Sequence, residues 1–377
     1  MTRLGDLIKP AKVIRCGTNQ YPVLSMTMHD GIMLQSDRFK KSLASVNQSD
    51  YKVVNYGQLA VGFPIDEGVL YIQRVVPSGI MSPAYSVWDV NYDIVDPLYL
   101  ELSLHSPQAM QYYKENLRGT TARRRSIPTD TLLALPLRLP SLEEQRKIAA
   151  VLDKVSGLIA KRRQQLDKLD EIVKAKFVEM FGDPVGNPMG WEKIALGKRC
   201  DIVTGNTPSR ADPENYGNFI EWIKSDNINT PAVLLTEAQE YLSETGFHKC
   251  RIVEAGSLLM TCIAGSINCI GNVAVADRRV AFNQQINAIV PKQDDVLYLY
   301  WLMLLSKPAI HSTINMSLKG ILSKGQLSEM TFPFPPLELQ NQFAVFVKKT
   351  EKTKANISRS LEKLETLKKA LMQEYFG

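Results

Sequence analysis

The segment "LPLRLPSLEEQRKIAAVLDKV", from Leu135 to Val155, has a counterpart near the end of the chain, "FPFPPLELQNQFAVFVKKT", from Phe332 to Thr350. Gln145 aligns with Gln340, an offset of 195 residues, and the same offset aligns Phe181 with Phe376 without a gap. A match of this length without insertions indicates a duplicated structural element.

Both copies have the features of a long helix. Ser141 and Glu144 have the spacing of a capping box at the first helix start, and glycine stands at both ends, as Gly182 and Gly377. Apolar residues recur at the 4-3-4-3 spacing of a coiled coil. The predicted seam consists of Ile148, Leu152, Val155, Ile159, Leu166, Leu169 and Val173 in the first copy and Ile357, Leu361, Leu364 and Leu371 in the second.

Polar residues interrupt both seams, at Arg162, Lys354 and Lys368. Two interrupted seams in one chain favour two helices that pack on each other and also contact partner helices. A helix of about 40 residues is about 60 Å long. In the alternative interpretation, each helix is simply the last helix of its own globular domain.

The regions before the helices contain short strand-like runs, turns rich in Gly, Pro and Asn, and one late helix candidate each, Pro97–Asn116 and Asp295–Ser306. We therefore predict an α+β fold: two mixed α/β domains joined by two long helices that pack on each other as a coiled coil. The predicted divisions are a first domain at 1–138, the first helix at 139–182, a linker at 183–189, a second domain at 190–333 and the second helix at 334–377.

The composition is that of a globular protein, with 45% apolar residues, 22% charged residues and a net charge of +6. The N-terminus has no apolar core like that of a signal peptide. The uncharged stretch Ala255–Ala276 has a membrane-like length, but its glycines and asparagines favour two buried strands joined by a turn. The five cysteines form no C-x-x-C pair, which favours a reducing, cytoplasmic location and no metal site.

No catalytic signature is found in the sequence. It has no phosphate-binding loop, no dinucleotide fingerprint and no Asn/Asp-Pro-Pro-aromatic motif of adenine methyltransferases. The four histidines suggest no nucleophile–base set. We therefore expect a protein without a catalytic or metal site.

Side chains that bind phosphates and base edges are concentrated in segments that we predict to be polar loops, such as Arg118–Thr129, Thr204–Asn229 and Asn315–Gly325. For each such residue, an ordinary solvated surface remains the alternative. The candidate DNA-binding residues are Lys40, Lys41, Arg123, Arg124, Arg125, Thr207, Ser209, Arg210, Lys224, Asn227, Lys319 and Lys324.

These motifs together resemble the specificity subunit of type I restriction–modification enzymes over essentially the whole chain. The resemblance rests on "LRLPSLEEQRKIAAVLD" (Leu137–Asp153), "FPFPPLELQNQFA" (Phe332–Ala344), "GNTPS" (Gly205–Ser209), "GIMSPAYSVW" (Gly79–Trp88) and "GTTARRRSIP" (Gly119–Pro128). Their order and the internal repeat make the match specific.

The resemblance implies a non-catalytic subunit whose two target-recognition domains each read one half of a bipartite, asymmetric sequence in double-stranded DNA. It implies that the two helices form an antiparallel coiled coil in a pseudo-twofold molecule and so fix the spacing between the halves. It also implies that they bind two modification (methyltransferase) subunits, with two restriction (translocase/nuclease) subunits completing the complex. S-adenosylmethionine, ATP and Mg are then expected on those partners and no cofactor in this chain. The alternatives are a recognition subunit of a related type IIB-like complex and a coiled-coil scaffold that binds only protein.

Overall fold

Two units make up the structure, which is a computed structural model describing residues 2–28, 31–38, 48–118, 125–314 and 320–377. The first unit comprises Met1–Arg163 and Arg359–Gly377, and the second comprises Gln164–Ser358. Both boundaries fall inside long helices, so each unit contains one globular region and part of each helix.

The globular region of the first unit is built from short elements. Its strands are β1 Thr2–Arg3, β2 Ile8–Pro10, β3 Leu24–Thr27, β4 Gly31–Leu34, β5 Lys52–Asn55, β6 Leu59–Val61, β7 Leu70–Ile72, β8 Ser78–Met81, β9 Ser86–Val90 and β10 Pro136–Leu137. Its helices are α1 Leu4–Leu7, α2 Gln35–Arg38, α3 Pro97–Leu104, α4 Pro107–Glu115 and α5 Thr129–Leu133. The long helix α6 follows and spans Leu142–Phe181, which is 40 residues.

The globular region of the second unit is organised in the same way. Its strands are β11 Lys193–Ala195, β12 Cys200–Thr204, β13 Tyr216–Ile223, β14 Tyr241–Leu242, β15 Ile252–Val253, β16 Leu258–Thr261, β17 Ile263–Ala264, β18 Val273–Val275, β19 Val280–Phe282, β20 Ile286–Pro291, β21 Gly320–Ile321 and β22 Thr331–Pro333. Its helices are α7 Leu196–Arg199, α8 Glu244–Lys249, α9 Val296–Leu305, α10 Lys307–Ser312 and α11 Lys324–Glu329. The second long helix, α12, spans Leu337–Phe376 and also has 40 residues.

The two globular regions share one sheet topology. The first contains a four-stranded sheet of order β2-β9-β6-β7, and the second contains one of order β12-β20-β16-β18. All strand pairs in both sheets are antiparallel. A two-stranded pair closes each region, β1 with β10 and β11 with β22. The sequence repeat therefore extends, as a structural repeat, into the domains.

Gln145, one of the repeated glutamines, joins α6 to the region that precedes it. Its fully buried side chain accepts a hydrogen bond from the Asp96 N–H at 2.9 Å. Its amide nitrogen donates to the carbonyl oxygens of Ile94 at 3.1 Å and Pro140 at 2.8 Å. Asp96 in turn caps α3 by accepting from the N–H groups of Leu98 and Tyr99.

Gln340 makes the corresponding connection in the second unit. It is fully buried and accepts from the Asp295 N–H at 3.0 Å. Its amide nitrogen donates to the Pro335 carbonyl oxygen at 2.9 Å and to the Asp294 carboxylate at 2.8 Å. Asp295 caps α9, as Asp96 caps α3. The repeated Pro-x-x-x-x-Gln spacing thus encodes a buried connection between domain and helix.

The repeated phenylalanines fasten the other ends of the long helices. Phe376, near the end of α12, packs against Tyr99 of the first unit with ring centroids 5.2 Å apart. Phe181, at the end of α6, packs against Tyr298 of the second unit at 5.0 Å. Each long helix therefore starts on one globular region and ends on the other.

Within the first unit the two helix segments run antiparallel. Ile148 and Leu152, near the start of α6, share a buried cluster with Met372, near the end of α12. Further along, Arg163 forms an ion pair with Glu365 at 2.7 Å. Residue numbers that rise along one helix therefore meet numbers that fall along the other.

The second unit repeats this antiparallel arrangement. Phe177 of α6 packs edge-on against Phe343 of α12, with ring centroids 5.4 Å apart, and Val347 belongs to the same cluster. Lys354 forms an ion pair with Asp170 at 2.7 Å. The predicted fold class, two mixed domains with two antiparallel long helices, is confirmed.

Two local predictions were wrong. The stretch Pro97–Asn116 is two helices rather than one, because Ser106 ends one run and caps the next, with Pro107 at its first position. Thr204–Asn229, predicted as a polar loop, contains the eight-residue strand β13. In that strand the exposed residues lie in the N-terminal half, whereas Ile220, Trp222 and Ile223 near the C-terminal end are buried, so no regular period of two was detectable.

The Ala255–Ala276 stretch forms strands, as predicted. β16 and β18 pair antiparallel, with Leu258 opposite Val275 and Met260 opposite Val273. Across the described ranges, no helix has the length and apolar character needed to cross a membrane.

Candidate nucleic-acid interface

The loop between β12 and β13 is held in one conformation by its own polar residues. A side chain at Gly205 would collide with the backbone carbonyl oxygens of Phe282 and Asn283, so only glycine fits there. Asn206 accepts from the Arg251 N–H at 2.8 Å and donates to the Lys249 carbonyl oxygen at 2.8 Å. These contacts give a polar surface loop a fixed geometry before any ligand binds.

Further along the same loop, a buried asparagine fixes the backbone. The Asn215 side chain is fully buried, donates to the Ser209 carbonyl oxygen at 2.9 Å and accepts from the Lys249 ammonium at 2.8 Å. The Tyr216 hydroxyl donates to the Pro208 carbonyl oxygen at 3.0 Å. The loop therefore packs on β13 and α8 and leaves its remaining side chains pointing outward.

Two cations lie on an aromatic platform beside this loop. The Arg210 guanidinium stands 5.0 Å from the ring centroid of Tyr216 and 5.5 Å from that of Trp222. The Lys224 ammonium stands 5.2 Å from the Trp222 centroid. Cations over aromatic rings are held by the negative face of the π system, which orients both groups without neutralising them.

One carboxylate neutralises part of this charge. Glu240 accepts from Arg210 at 2.8 Å and also pairs with Lys224. The hydrogen bond from Lys224, and secondarily that from Arg210, lowers the pKa of Glu240 below its usual value. Glu240 is therefore ionised at neutral pH, and the cluster of Arg210, Lys224 and Glu240 has a net charge of +1.

The other predicted residues of this region have different surroundings. Thr207 and Ser209 are exposed at the loop surface, and Thr207 donates a hydrogen bond to Gln284. Asn227 is buried; it accepts from the Lys224 N–H at 3.0 Å and donates to the Glu237 carbonyl oxygen at 2.9 Å. The structure thus brings Thr207, Arg210 and Lys224 to one region and gives Asn227 a backbone-fixing role.

In the first unit, Arg125 is the predicted residue that the structure describes. It forms ion pairs with Asp66 at 2.6 Å and Glu67 at 3.2 Å. Asp66 is almost fully buried, so Arg125 is tied to the domain rather than extended into solvent. Its contact with a phosphate stays a prediction and would require competition with two carboxylates.

Several predicted residues lie outside the described part of the chain: Lys40, Lys41, Arg123, Arg124 and Lys319. Lys324 is described and is exposed at the start of α11, where Ser323 caps the helix. Their binding roles remain predictions.

The predicted seam residues differ in burial. Ile148, Leu152, Val155, Ile159 and Val173 are buried. Partly exposed are Leu166, Leu169, Ile357, Leu361, Leu364 and Leu371. The partly exposed set leaves apolar surface along the helices that no contact within the described chain covers completely.

Some basic residues near the candidate loop were missed by the sequence analysis. Lys249 and Arg251 hold Asn215 and Asn206, and Arg279 stands 5.0 Å over the ring of Phe247. The sequence feature that could have indicated these residues is the clustering of basic side chains in "HKCR" (His248–Arg251) and "DRR" (Asp277–Arg279). Their proximity to the loop depends on strand pairing and could not be read from spacing.

Neither cysteine chemistry nor a metal centre is indicated in the described ranges. Burial raises the pKa of the Cys262 thiol to about 12 and that of Cys200 to about 12, which keeps both protonated. No group of three or more His, Cys, Asp or Glu residues in the described part of the chain has the arrangement of a metal site.

The comparisons with known proteins agree on one family. Residues 188–366 match the family model described as the type I restriction modification DNA specificity domain. The HindI specificity subunit of Haemophilus influenzae is 23% identical over 305 residues, covering 61% of this chain and 65% of that protein. The MjaVIII specificity subunit of Methanocaldococcus jannaschii is 23% identical over 402 residues, covering 99% of this chain and 90% of that protein.

Solved structures support the fold. A chain from a study of complex assembly and conformational transition of the type I R-M system has a TM-score of 0.58 and 17% identity, covering 100% of this chain and 96% of that one. The type I restriction–modification S subunit from M. genitalium has a TM-score of 0.58 and 13% identity, covering 100% of this chain and 95% of that one.

Proposed function

We propose that the chain is a specificity subunit of the type I restriction–modification family, to whose members it is similar, and that it reads a bipartite, asymmetric DNA target and holds modification and restriction subunits there. The observation that carries the proposal is the duplication of the domain–helix connection. Gln145 and Gln340 make the same buried hydrogen bonds in two domains of one topology. A duplicated scaffold with unlike loops suits two unlike half-sites.

We assign one reading surface to each domain, at 1–138 and 190–333. In the second domain the surface is the Gly205–Asn215 loop with Arg210 and Lys224 on their aromatic platform. Arginine and lysine bind phosphates and guanine edges, while exposed hydroxyls such as that of Thr207 hydrogen-bond either. Because the loop is fixed by Asn206 and Asn215, binding loses little conformational entropy.

The partners follow from the same assignment. Two modification subunits would supply the methyltransferase activity and bind S-adenosylmethionine, and two restriction subunits would bind ATP and Mg. No cofactor is assigned to this chain, which acts by binding and positioning. We place it in the cytoplasm, together with its DNA substrate.

Methylome sequencing of the host, with and without this gene, tests the proposal. We expect loss of one N6-methyladenine motif made of two unlike specified halves, separated by a fixed number of unspecified base pairs. Deletion of the gene without loss of any such motif would refute the proposed function.

A paired variant tests the reading surface. Replacing Arg210 and Lys224 by alanine should change or weaken only one half of the motif. The matched control replaces Lys198 and Lys292, which lie at the opposite end of the β12–β20 pair from Gly205, and should leave the motif unchanged. If both double variants have the same effect, the surface is assigned wrongly.

A further inference from the structure

The internal repeat allows equivalent positions of the two helix segments to be compared directly. With the offset of 195, the first-unit residues Ser156, Ile159, Arg163, Glu365 and Lys368 correspond to the second-unit residues Glu351, Lys354, Ser358, Asp170 and Val173. A lysine thus interrupts the apolar seam in each unit, Lys354 in the second and Lys368 in the first. The two lysines are not at equivalent positions of the repeat, because Lys354 corresponds to Ile159 and Lys368 corresponds to Val173.

In the second unit, the interrupting lysine is fully compensated. Lys354 is 12% exposed and pairs with Asp170 at 2.7 Å and Glu351 at 3.0 Å. Burial opposes its charge, but the hydrogen bonds to the two carboxylates outweigh burial and raise its pKa. Tyr300 lies close by: burial first, then these two carboxylates, raise its pKa to about 12. The lysine at this position is therefore largely buried and has two carboxylate partners.

In the first unit, the equivalent layer is an open groove of about 590 Å³. Leu102, Ile159 and Met372 form apolar walls, and Arg163, Lys368 and Lys369 contribute cations. Trp301, in the second unit, occupies the place in α9 that Leu102 has in α3, counting from the shared Leu-Tyr pair.

The charge in this groove is not balanced by the described residues. The lining has one carboxylate, Glu365, and it already pairs with Arg163 at 2.7 Å. Lys368 is half-buried, and burial together with the nearby Arg163 lowers its pKa. No carboxylate in the described ranges lies within ion-pair distance of Lys368. A partly desolvated ammonium without a counter-charge is unfavourable, and a carboxylate placed beside it would relieve that cost.

We propose that this groove, which we name the Lys368 groove, docks a segment of the modification subunit that inserts an acidic side chain beside Lys368 and apolar side chains against Leu102, Ile159 and Met372. The inference rests on the proposed function for the identity of the partner. The apolar walls suit a protein segment better than a nucleic-acid backbone, whose phosphates remain hydrated. Because the equivalent position in the second unit is filled by the paired Lys354, the two modification subunits bind with unequal strength.

Charge reversal tests the groove. We expect native mass spectrometry to show two modification subunits on the wild-type chain and titration to resolve two affinities. Lys368→Glu should weaken one of the two sites at least tenfold, whereas Lys363→Glu, the same charge change at an exposed position on the same helix, should leave both unchanged. If the two variants bind the modification subunits with equal affinities, the proposed docking at the Lys368 groove is wrong. A wild-type chain that binds no modification subunit would overturn the proposed function and, with it, the partner assigned here.

A second measurement uses only the wild-type chain and is therefore independent of how the variants fold. Acetylation of Lys368 by a limiting N-hydroxysuccinimide ester is followed by peptide mass spectrometry. We expect the modification subunit to slow acetylation of Lys368 at least fivefold relative to Lys363, and a DNA duplex alone to leave it unchanged. Protection by the duplex alone, or no protection by the modification subunit, would contradict a protein occupant.

Discussion

At the scale of single residues, two buried side-chain amides each link one globular region to the long helix that follows it. Gln145 and Gln340 each make three hydrogen bonds, and every partner is a backbone group except the Asp294 carboxylate. An amide has both donors and an acceptor, so it can satisfy a strand end, a loop and a helix start together. A carboxylate or an aliphatic side chain could not.

Gln145→Leu should therefore destabilise the protein. The substitution leaves the Asp96 N–H and the carbonyls of Ile94 and Pro140 without their partner, at a cost of about 3 kcal/mol. We expect a lower urea midpoint for the unfolding transition of the first unit. Gln164→Leu, at an exposed position of the same helix, is the control and should change the midpoint little. Equal midpoints for the two variants would contradict the role assigned to Gln145.

A second residue-scale prediction concerns Glu240. A DNA phosphate must compete with this carboxylate for Arg210 and Lys224, so Glu240→Gln should raise DNA affinity about tenfold at low salt and steepen the salt dependence by about one unit. Fluorescence anisotropy with the target duplex at several salt concentrations measures both effects. Glu237→Gln, in the same segment but without a cationic partner among the described ion pairs, should show neither. Weaker binding by the Glu240 variant would argue against a competing role.

At the scale of elements, some ion pairs link segments of the chain that are not paired as strands. Arg278, in the turn between β18 and β19, donates to both oxygens of Glu221 on β13. It also donates to the carbonyl oxygens of Leu235 and Thr236, at 3.3 Å and 3.1 Å. The Arg278 side chain therefore holds the irregular segment that contains Leu235 and Thr236 against β13. A guanidinium can do this because it has five N–H donors.

This element has a defined pH dependence. The hydrogen bond from Arg278 lowers the pKa of Glu221 below its ordinary value of 4.5. A carboxylate with a depressed folded-state pKa stabilises the protein above pH 4.5, and this contribution is lost as the pH falls through the lower folded-state value. Glu221→Gln should cost about 1.5 kcal/mol at pH 7. The difference from wild type should shrink in acid.

Urea unfolding of wild type and Glu221→Gln at pH 7 and at pH 3 measures this dependence. Glu254→Gln is the matched control, because Glu254 is 73% exposed and its pair with Arg279 is on the surface. We expect the control to stay close to wild type at both pH values. A Glu221 effect that is constant with pH would indicate lost packing rather than lost charge.

At the scale of the whole molecule, each long helix follows one globular region in the chain and contacts the other globular region near its C-terminal end. α6 begins beside Gln145 and ends with Phe181 on Tyr298, and α12 begins beside Gln340 and ends with Phe376 on Tyr99. Because each helix makes contacts near both of its ends, we expect the common helix length to enter into the length of the DNA spacer.

Removing one heptad from both helices, Lys161–Asp167 and Ile357–Lys363, should shorten the DNA spacer. The two segments face each other in the antiparallel register given by the Asp170–Lys354 pair. A heptad preserves the seam and removes about 10 Å of helix, equivalent to about three base pairs. Methylome sequencing of a strain carrying the variant gives the spacer. An unchanged spacer would exclude the helices as its determinant.

The sequence by itself was sufficient for the long helices, their packing on each other and the duplicated domains. These features depend on local periodicity and on a repeat, and both are visible in the order of residues. The break at Ser106–Pro107 was also encoded locally, but an apolar run across it concealed it. The strand in Thr204–Asn229 was missed because β13 lacks the regular two-residue alternation that identifies strands: its first half is exposed and its second half is buried between neighbouring strands.

Only the tertiary structure shows which basic side chains have carboxylate partners and how far those pairs are buried. Arg125, Arg210 and Lys224 look alike in sequence, yet Arg125 is tied to buried Asp66 while the other two share Glu240 on an aromatic platform. The same holds for Lys354 and Lys368, which interrupt equivalent seams with and without carboxylate partners. The physical reason is that electrostatic energy depends on distance and burial, and residues far apart in sequence set both.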